Sequence, residues 1–193
     1  MCNKQAVGGK VHFGCKKKWG LDGLMNLFSY KGLIKMGIHR LKYEFLQDME
    51  RELEELVESK LIKILRERQN IEWKFFLKKK PIIIGVPLYW RRQNWRGFNQ
   101  AEMIGKMMGK KLKLEYGEGL VKRIKSTKPQ VKLKKNERKK NIKQAFKVNK
   151  KVRLGDNILL IDDVWTTGET MREIGRQLKK AGAGEVWGLT LAR

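Results

Sequence analysis

The sequence predicts an α/β protein with a mostly parallel central sheet flanked by helices, and three aliphatic runs carry that expectation. "IIIGV" at 82–86, opened by Pro81 and closed by Pro87, suits a buried strand. A second run, over 157–162, passes through a polar turn into a helical pattern from about 169 to 181 that Gly182 and Gly184 stop. The third, "VWGLTLA" at 186–192, follows at once. Parallel neighbours need a crossover between them, and strands alternating with helices supply it.

The remaining elements follow in chain order. From Glu44 to about Arg68, apolar residues recur at helical spacing between charged ones (Leu46, Met49, Leu53, Leu56, Val57, Leu61, Ile64), predicting a long amphipathic helix that covers the sheet or helps form a hood. After the first strand comes a loop, "PLYWRRQNWRGF". Asn99 followed by Glu102 then reads as an N-cap with a capping box, opening a helix through roughly Leu112. Weaker strands are predicted near Leu120 to Arg123 and at "AFKV", 145–148. Between them, 124–142 is too basic and too poor in apolar residues for a core element, and long enough to suggest function.

At 193 residues the chain suits one main domain with a small appendage, and no internal repeat is visible. The expected division is an appendage at 1–20, a helical amino-terminal or hood region at 21–80 and the core at 81–193. No apolar run reaches membrane length and the start lacks the apolar stretch of a secretory signal, so a cytoplasmic location without membrane insertion is expected. Two cysteines argue against a disulfide scaffold. The formal net charge is +25, and between Lys122 and Arg153 there are 15 Lys or Arg against one acid, Glu137. Such a field favours polyanions, either nucleic acid or a small phosphorylated metabolite.

"ILLIDDVWTTGET" at 158–170 holds the sharpest chemical signal. Ionised carboxylates are costly to bury unpaired, so Asp162 and Asp163 at the end of an aliphatic strand await a cation or hydroxyl groups. Ligands of parallel sheets sit at the carboxyl ends of strands. Adjacent strand residues face opposite ways, so both acids serve one ligand only if the backbone leaves strand geometry near Asp163. Thr166, Thr167, Gly168, Glu169 and Thr170 then lead into a helix whose first N–H groups lack intrahelical partners. Hydroxyl donors beside a side-chain-free Gly168 make a phosphate cradle, with a diol or metal site one step away. A P-loop NTPase strand is excluded by the lack of G-x-x-x-x-G-K-[ST] upstream, "GKMMGKK" at 105–111 having the wrong spacing. The plainer alternative is an Asp163 that only helps to cap the helix.

The same residues resemble the phosphoribosyl pyrophosphate motif of type I phosphoribosyltransferases. "VPLYWRRQNWRGFNQAEMIG" at 86–105, "RIKSTKPQVKLKKNERKKNIKQAFKV" at 123–148 and the closing "AGAGEVWGLTLAR" are similar to the ComF family, over nearly the whole chain. The resemblance implies the type I phosphoribosyltransferase fold, with Asp162 and Asp163 on the ribose hydroxyls and, through water, on Mg2+. It implies a 5-phosphate loop of Val164, Thr166, Thr167, Gly168, Glu169 and Thr170. The implied reaction displaces pyrophosphate from ribose C1 of phosphoribosyl pyrophosphate by a nitrogen nucleophile. Arg96, beside Gly97, with Arg92 would face the pyrophosphate, and 124–142 would be a mobile lid bringing Arg138 and Lys139.

ComF proteins are associated with natural DNA uptake. The rival expectation is therefore a non-catalytic accessory that binds single-stranded DNA or DNA-uptake proteins. Cys2, His12 and Cys15 form C-x9-H-x2-C, three of the four ligands that a structural Zn2+ usually takes. Many ComF proteins begin with a small zinc ribbon, and this chain starts at what would be its second cysteine, so the start is truncated or the site has decayed; two ordinary thiols are the alternative. His39 reads as a helix-surface residue. Trp165 is placed to pack on the ribose or base, and Trp73, Trp90, Trp95 and Trp187 read as packing residues.

Overall fold

The computed structural model describes residues 7–16, 19–43, 47–126, 142–149 and 152–193. The amino-terminal stretch forms 3-10 turns at Val7–Gly9 and Phe13–Cys15. Then come β1 (Gly23–Phe28), α1 (Gly32–Tyr43), α2 (Gln47–Arg66), α3 (Ile71–Lys78) and β2 (Ile82–Gly85). The chain continues with α4 (Trp90–Arg96), α5 (Gln100–Leu112), β3 (Val121–Arg123), β4 (Phe146–Val148), β5 (Ile158–Val164), α6 (Glu169–Lys180) and β6 (Val186–Ala192).

Among the described residues, β1, β6, β5 and β2 lie side by side in that order in one sheet, and every pair is parallel. This is the α/β arrangement expected of a phosphoribosyltransferase-like fold. β3 and β4 form a separate antiparallel pair with Arg123 opposite Phe146. The 21–80 stretch, read from sequence as helical, also supplies the edge strand β1. "GLMNLF" has no β-branched residues, and its strand state is set by pairing with β6.

Alternation along β5 sends Ile158 and Leu160 to one face and Leu159 and Ile161 to the other, and all four are fully buried. On the first face α6 contributes Met171, Ile174 and Leu178, spaced so that one helical stripe meets the sheet, together with Ile142, Ala145 and Phe146 from the root of the basic segment. On the second face lie Val57, Leu61 and Ile64 of α2, Trp73 and Phe76 of α3, and Ile104, Met107 and Met108 of α5. Each large apolar side chain so buried contributes about 1.5–3 kcal/mol. The helix expected at 44–68 therefore covers the sheet, over its described range 47–66.

Trp73 and Trp187 are packing residues, 5.7 Å apart, with Phe76 stacked on Trp187 at 4.9 Å. Trp90 and Trp95 are not: they are 54% and 72% exposed on α4, a surface helix of one to two turns where a loop was expected. Tyr89 enters that helix extended, and Gly97 at φ 76° closes it in the left-handed conformation that only glycine adopts freely. His39 is exposed on α1, as expected.

Candidate functional site at the carboxyl edge of the sheet

β5 continues beyond both acids and ends at Val164, two residues later than the sequence suggests. Its pairing with β6 runs from Ile158↔Val186 to Asp162↔Thr190, passes over Asp163 and resumes at Val164↔Ala192. The backbone phase slips at that point. The Ile158 N–H donates to Glu185 and the Trp165 N–H to Ala192, both toward β6, although seven residues apart they would face opposite ways in an uninterrupted strand. Side chains report the same slip, since Val164 joins the cluster of Leu159 and Ile161, and Trp165 joins that of Ile158 and Leu160.

The Asp163 N–H marks the place by donating to the Asp162 carboxylate at 2.9 Å. The strand therefore leaves regular alternation between Asp162 and Val164, the stretch in which shared service of one ligand by both acids requires a departure. Both acids are half-buried.

The turn that follows is tied from below. Trp165, expected from sequence to pack on the ribose or base, is only 6% exposed and belongs to the core, so it supports the turn from below. A Cβ on Gly168 would stand 2.1 Å from the Trp165 ring, and φ there is 71°, so glycine is required on two independent grounds. Arg172, which sequence reasoning missed, lies over the same ring at 5.2 Å and donates to the Thr167 carbonyl at 2.9 Å. It also bonds Glu169 at 3.2 Å, offsetting the one negative charge of the predicted phosphate loop. Arginine three residues after an acid at a helix start was the available signal. Gly168 is the N-cap of α6 and offers no side-chain cap. The Thr167 hydroxyl is shut off from solvent and has no hydrogen-bond partner among the described residues.

The neighbouring strand delivers the arginine-bearing segment to the same edge. The Val86 N–H, just past β2, donates to Ile161 at 2.8 Å, one residue before the acid pair. Asn99 caps α5 by accepting from the Ala101 N–H at 3.1 Å, and its amide donates back to the Val86 carbonyl at 3.1 Å. Gly85 lets the first turn of α5 approach, because a Cβ there would stand 2.6 Å from the Glu102 nitrogen. Between these fixed points lies α4. Its backbone places Arg92 and Arg96, whose side chains lie outside what is described, and Arg91 stacks on Trp90 at 5.2 Å.

Of the basic segment, 127–141 lies outside the described residues, Arg138 and Lys139 included. Its roots are fixed. Ile124 N–H donates to Ala145 at 2.8 Å, and the N–H of Gln144, held at φ 54°, donates to Glu173 at 2.9 Å. Burial would raise the Glu173 pKa, but bonds from Arg176, Gln177 and the Gln144 N–H outweigh it and hold the carboxyl below its ordinary value. Glu173 is four residues into α6 from Glu169, so the segment is rooted about 6 Å along the helix that the acidic turn opens.

Other features lie elsewhere. A depression of about 340 Å3 lined by Ile82, Tyr116, Leu120, Arg153 and Asp156 opens at the opposite, amino-terminal end of the strands. Cys2 lies outside the described residues; Cys15 is exposed, on the same 3-10 turn as His12, whose carbonyl accepts from its N–H at 2.9 Å. No described helix is long and apolar enough to cross a membrane.

Comparison with known proteins finds the chain similar to Competence protein F of Haemophilus influenzae, 41% identical over 120 residues, or 60% of this chain and 52% of that protein. It is also similar to DNA utilization protein YhgH of Shigella flexneri, 32% identical over 167 residues, 85% of this chain and 70% of that protein. YhgH of Escherichia coli matches over the same length at 31%. The chain thus spans about half of the Haemophilus relative and 70% of the enterobacterial ones. No protein-family model matches.

Proposed function

This chain belongs to the ComF family, and from that premise we propose that it serves the uptake or utilization of DNA, with the acidic turn after β5 as its binding site for a phosphoribosyl compound. The relatives' names support the first half. The observation that carries the second is the buried, unpartnered hydroxyl of Thr167 beside the Gly168 cradle, because an unmet buried hydrogen-bonding group is costly unless something bonds it.

A 5-phosphate on the first N–H groups of α6, with Thr166 and Thr170 in the same turn, removes that cost once the Thr167 side chain turns outward to bond it. The ribose diol donates to Asp162 and Asp163. Two carboxylates suit a Mg2+ that arrives on the ligand's phosphates and keeps much of its water. When bound, that ion would neutralise phosphate charge. Calorimetric titration with phosphoribosyl pyrophosphate, with and without Mg2+, tests the site: Mg2+-dependent binding lost in Asp163→Asn supports it, and no binding by the unaltered chain removes it.

Transfer of the phosphoribosyl group is a second reading, supported by the Val86–Ile161 bond, which starts the arginine-bearing segment at the edge where the acid pair lies. In that reaction the bond from ribose C1 to pyrophosphate breaks, a nitrogen lone pair forms the new bond, and charge builds on the departing oxygens. Arg96 and Arg92, and Arg138 and Lys139 from the basic segment, would face those oxygens, and exclusion of water would strengthen each contact. Pyrophosphate release upon addition of nucleobases is the test, and its absence alongside ligand binding would leave a binding protein.

For DNA, the contact surface is the basic segment, 15 cations against one acid between Lys122 and Arg153. Single-stranded DNA is expected to bind with an affinity that falls with salt, with a log-log slope of about 0.7 per phosphate neutralised. A salt-independent affinity would exclude that contact.

A further inference from the structure

We infer that Asn26 is a specificity-determining residue of this site, donating from its side-chain amide to a hydrogen-bond acceptor on the group that ribose C1 carries. The inference rests on the phosphoribosyl reading and carries the site across two further strands. Its starting point is Thr190, a polar residue in an otherwise aliphatic or aromatic strand and wholly buried. Burying a hydroxyl there is costly unless it is bonded.

Thr190 is in register with Asp162 on one side and with Asn26 on the other, so the three form one row across β5, β6 and β1. They share a face. Ile158 and Leu160, Val186, and Leu24, two or four residues away on their respective strands, all pack on the α6 side, and alternation puts Asp162, Thr190 and Asn26 there with them. Two residues below Thr190, on the same face, a Cβ on Gly188 would stand 2.9 Å from the sulfur of Met171, so the start of α6 overlies the row's lower neighbour. The row itself therefore lies beside the turn 165–170.

The Thr190 hydroxyl has one proton and two acceptors in reach, the Asn26 oxygen at 2.6 Å and the Ala192 carbonyl at 3.3 Å. The shorter contact has the length of an O–H···O bond and is short for an amide N–H donor. Thr190 thus donates to the Asn26 oxygen and fixes which end of the amide turns outward. The NH2 end, on a half-exposed residue, is the end presented. Two strand spacings put it roughly 10 Å from Asp162. With the phosphate at Thr167 and the diol at Asp162, the substituent on C1 is the part of the ligand left to reach it, and a base carbonyl or ring nitrogen is the acceptor it fits.

The test measures, with Mg2+ present, the affinity of the unaltered chain for ribose 5-phosphate and for the four ribonucleoside 5′-monophosphates, then repeats both in Asn26→Asp. That variant keeps an oxygen for Thr190 but loses the outward donor. At least one nucleotide is expected to bind more tightly than ribose 5-phosphate. In Asn26→Asp that base-dependent gain should fall about fivefold to tenfold, while any change for ribose 5-phosphate itself is common to all ligands and cancels in the ratio. Thr190→Val keeps the Asn26 amide but frees it to turn, and is expected to lose part of the gain. A gain unchanged in both variants, or no nucleotide bound better than ribose 5-phosphate, overturns the role of Asn26 alone. No binding of ribose 5-phosphate by the unaltered chain overturns the phosphoribosyl reading, and this inference with it.

Discussion

At the amino-terminal end of the sheet, Asp22 is 6% exposed; Lys179 bonds its carboxylate at 2.7 Å, Lys16 at 3.1 Å and the Val186 N–H at 2.9 Å. At the carboxyl end, Asp162 and Asp163 stay half-buried on a strand whose phase slips beneath them, and a hydroxyl five residues after Asp162 is buried without a described partner. The same residue type is used in two ways. Asp22 joins the amino-terminal segment, β6 and α6, and its hydrogen-bonding capacity is spent inside the protein. The turn after the acid pair keeps one hydroxyl, that of Thr167, without a partner among the described residues, and this separates a carboxylate that holds the fold together from the turn we propose as a phosphate site.

Breaking the first end should have the largest effect. Asp22→Ala leaves Lys179, only 16% exposed, without its carboxylate and the Val186 N–H without its acceptor, and should destabilise the protein by about 3 kcal/mol in urea unfolding. Asp163→Asn keeps the size and shape of a half-buried side chain and should cost well under half as much. Equal losses would erase the contrast.

A glycine sharpens the second end. Gly168→Ala meets both a left-handed φ and the Trp165 ring, and a loss of about 1–3 kcal/mol together with weaker ligand binding is expected. A variant as stable as the parent would show that the turn is not held as described.

Acid titration separates the two ends further. Burial would raise the Asp22 pKa, yet the bonds from Lys179, the Val186 N–H and Lys16 prevail and lower it from the ordinary 3.8. A carboxyl depressed by folding contributes stability that is complete above its unfolded value and is lost as pH falls through the folded one. The stability gap between the parent and Asp22→Asn should therefore be constant near neutral pH and close below about pH 4. A gap that persists in acid would assign the effect to packing.

One further change has an unusual sign. Thr167→Val replaces the unpartnered hydroxyl by a methyl of similar size, so stability should hold or rise by up to about 1 kcal/mol. A clear loss in thermal unfolding would mean that the hydroxyl is bonded within the protein.

The strands at 82–86, 157–162 and 186–192 and the helices starting near Asn99 and Glu169 were legible in the sequence, because aliphatic runs, caps and glycine stops are local signals. β1 was not, since its strand state depends on β6, 164 residues away at Asn26↔Thr190. Nor was α4, whose residue types fit a helix and a loop about equally. At the site, the acids and the threonine turn were visible as a motif. Their geometry was not: the slip between Asp162 and Val164 depends on which strand receives the Trp165 N–H, and Trp165, Arg172 and Asn26 take their partners from elements that only folding brings together.

The most direct test compares ribose 5-phosphate binding by the unaltered chain and by Thr167→Val in calorimetric titration with Mg2+ present. If the carboxyl edge holds its buried hydroxyl for a phosphate, the variant binds about tenfold more weakly while melting no lower than the parent. Equal affinity in the two proteins, or no binding by the unaltered chain, would contradict the account.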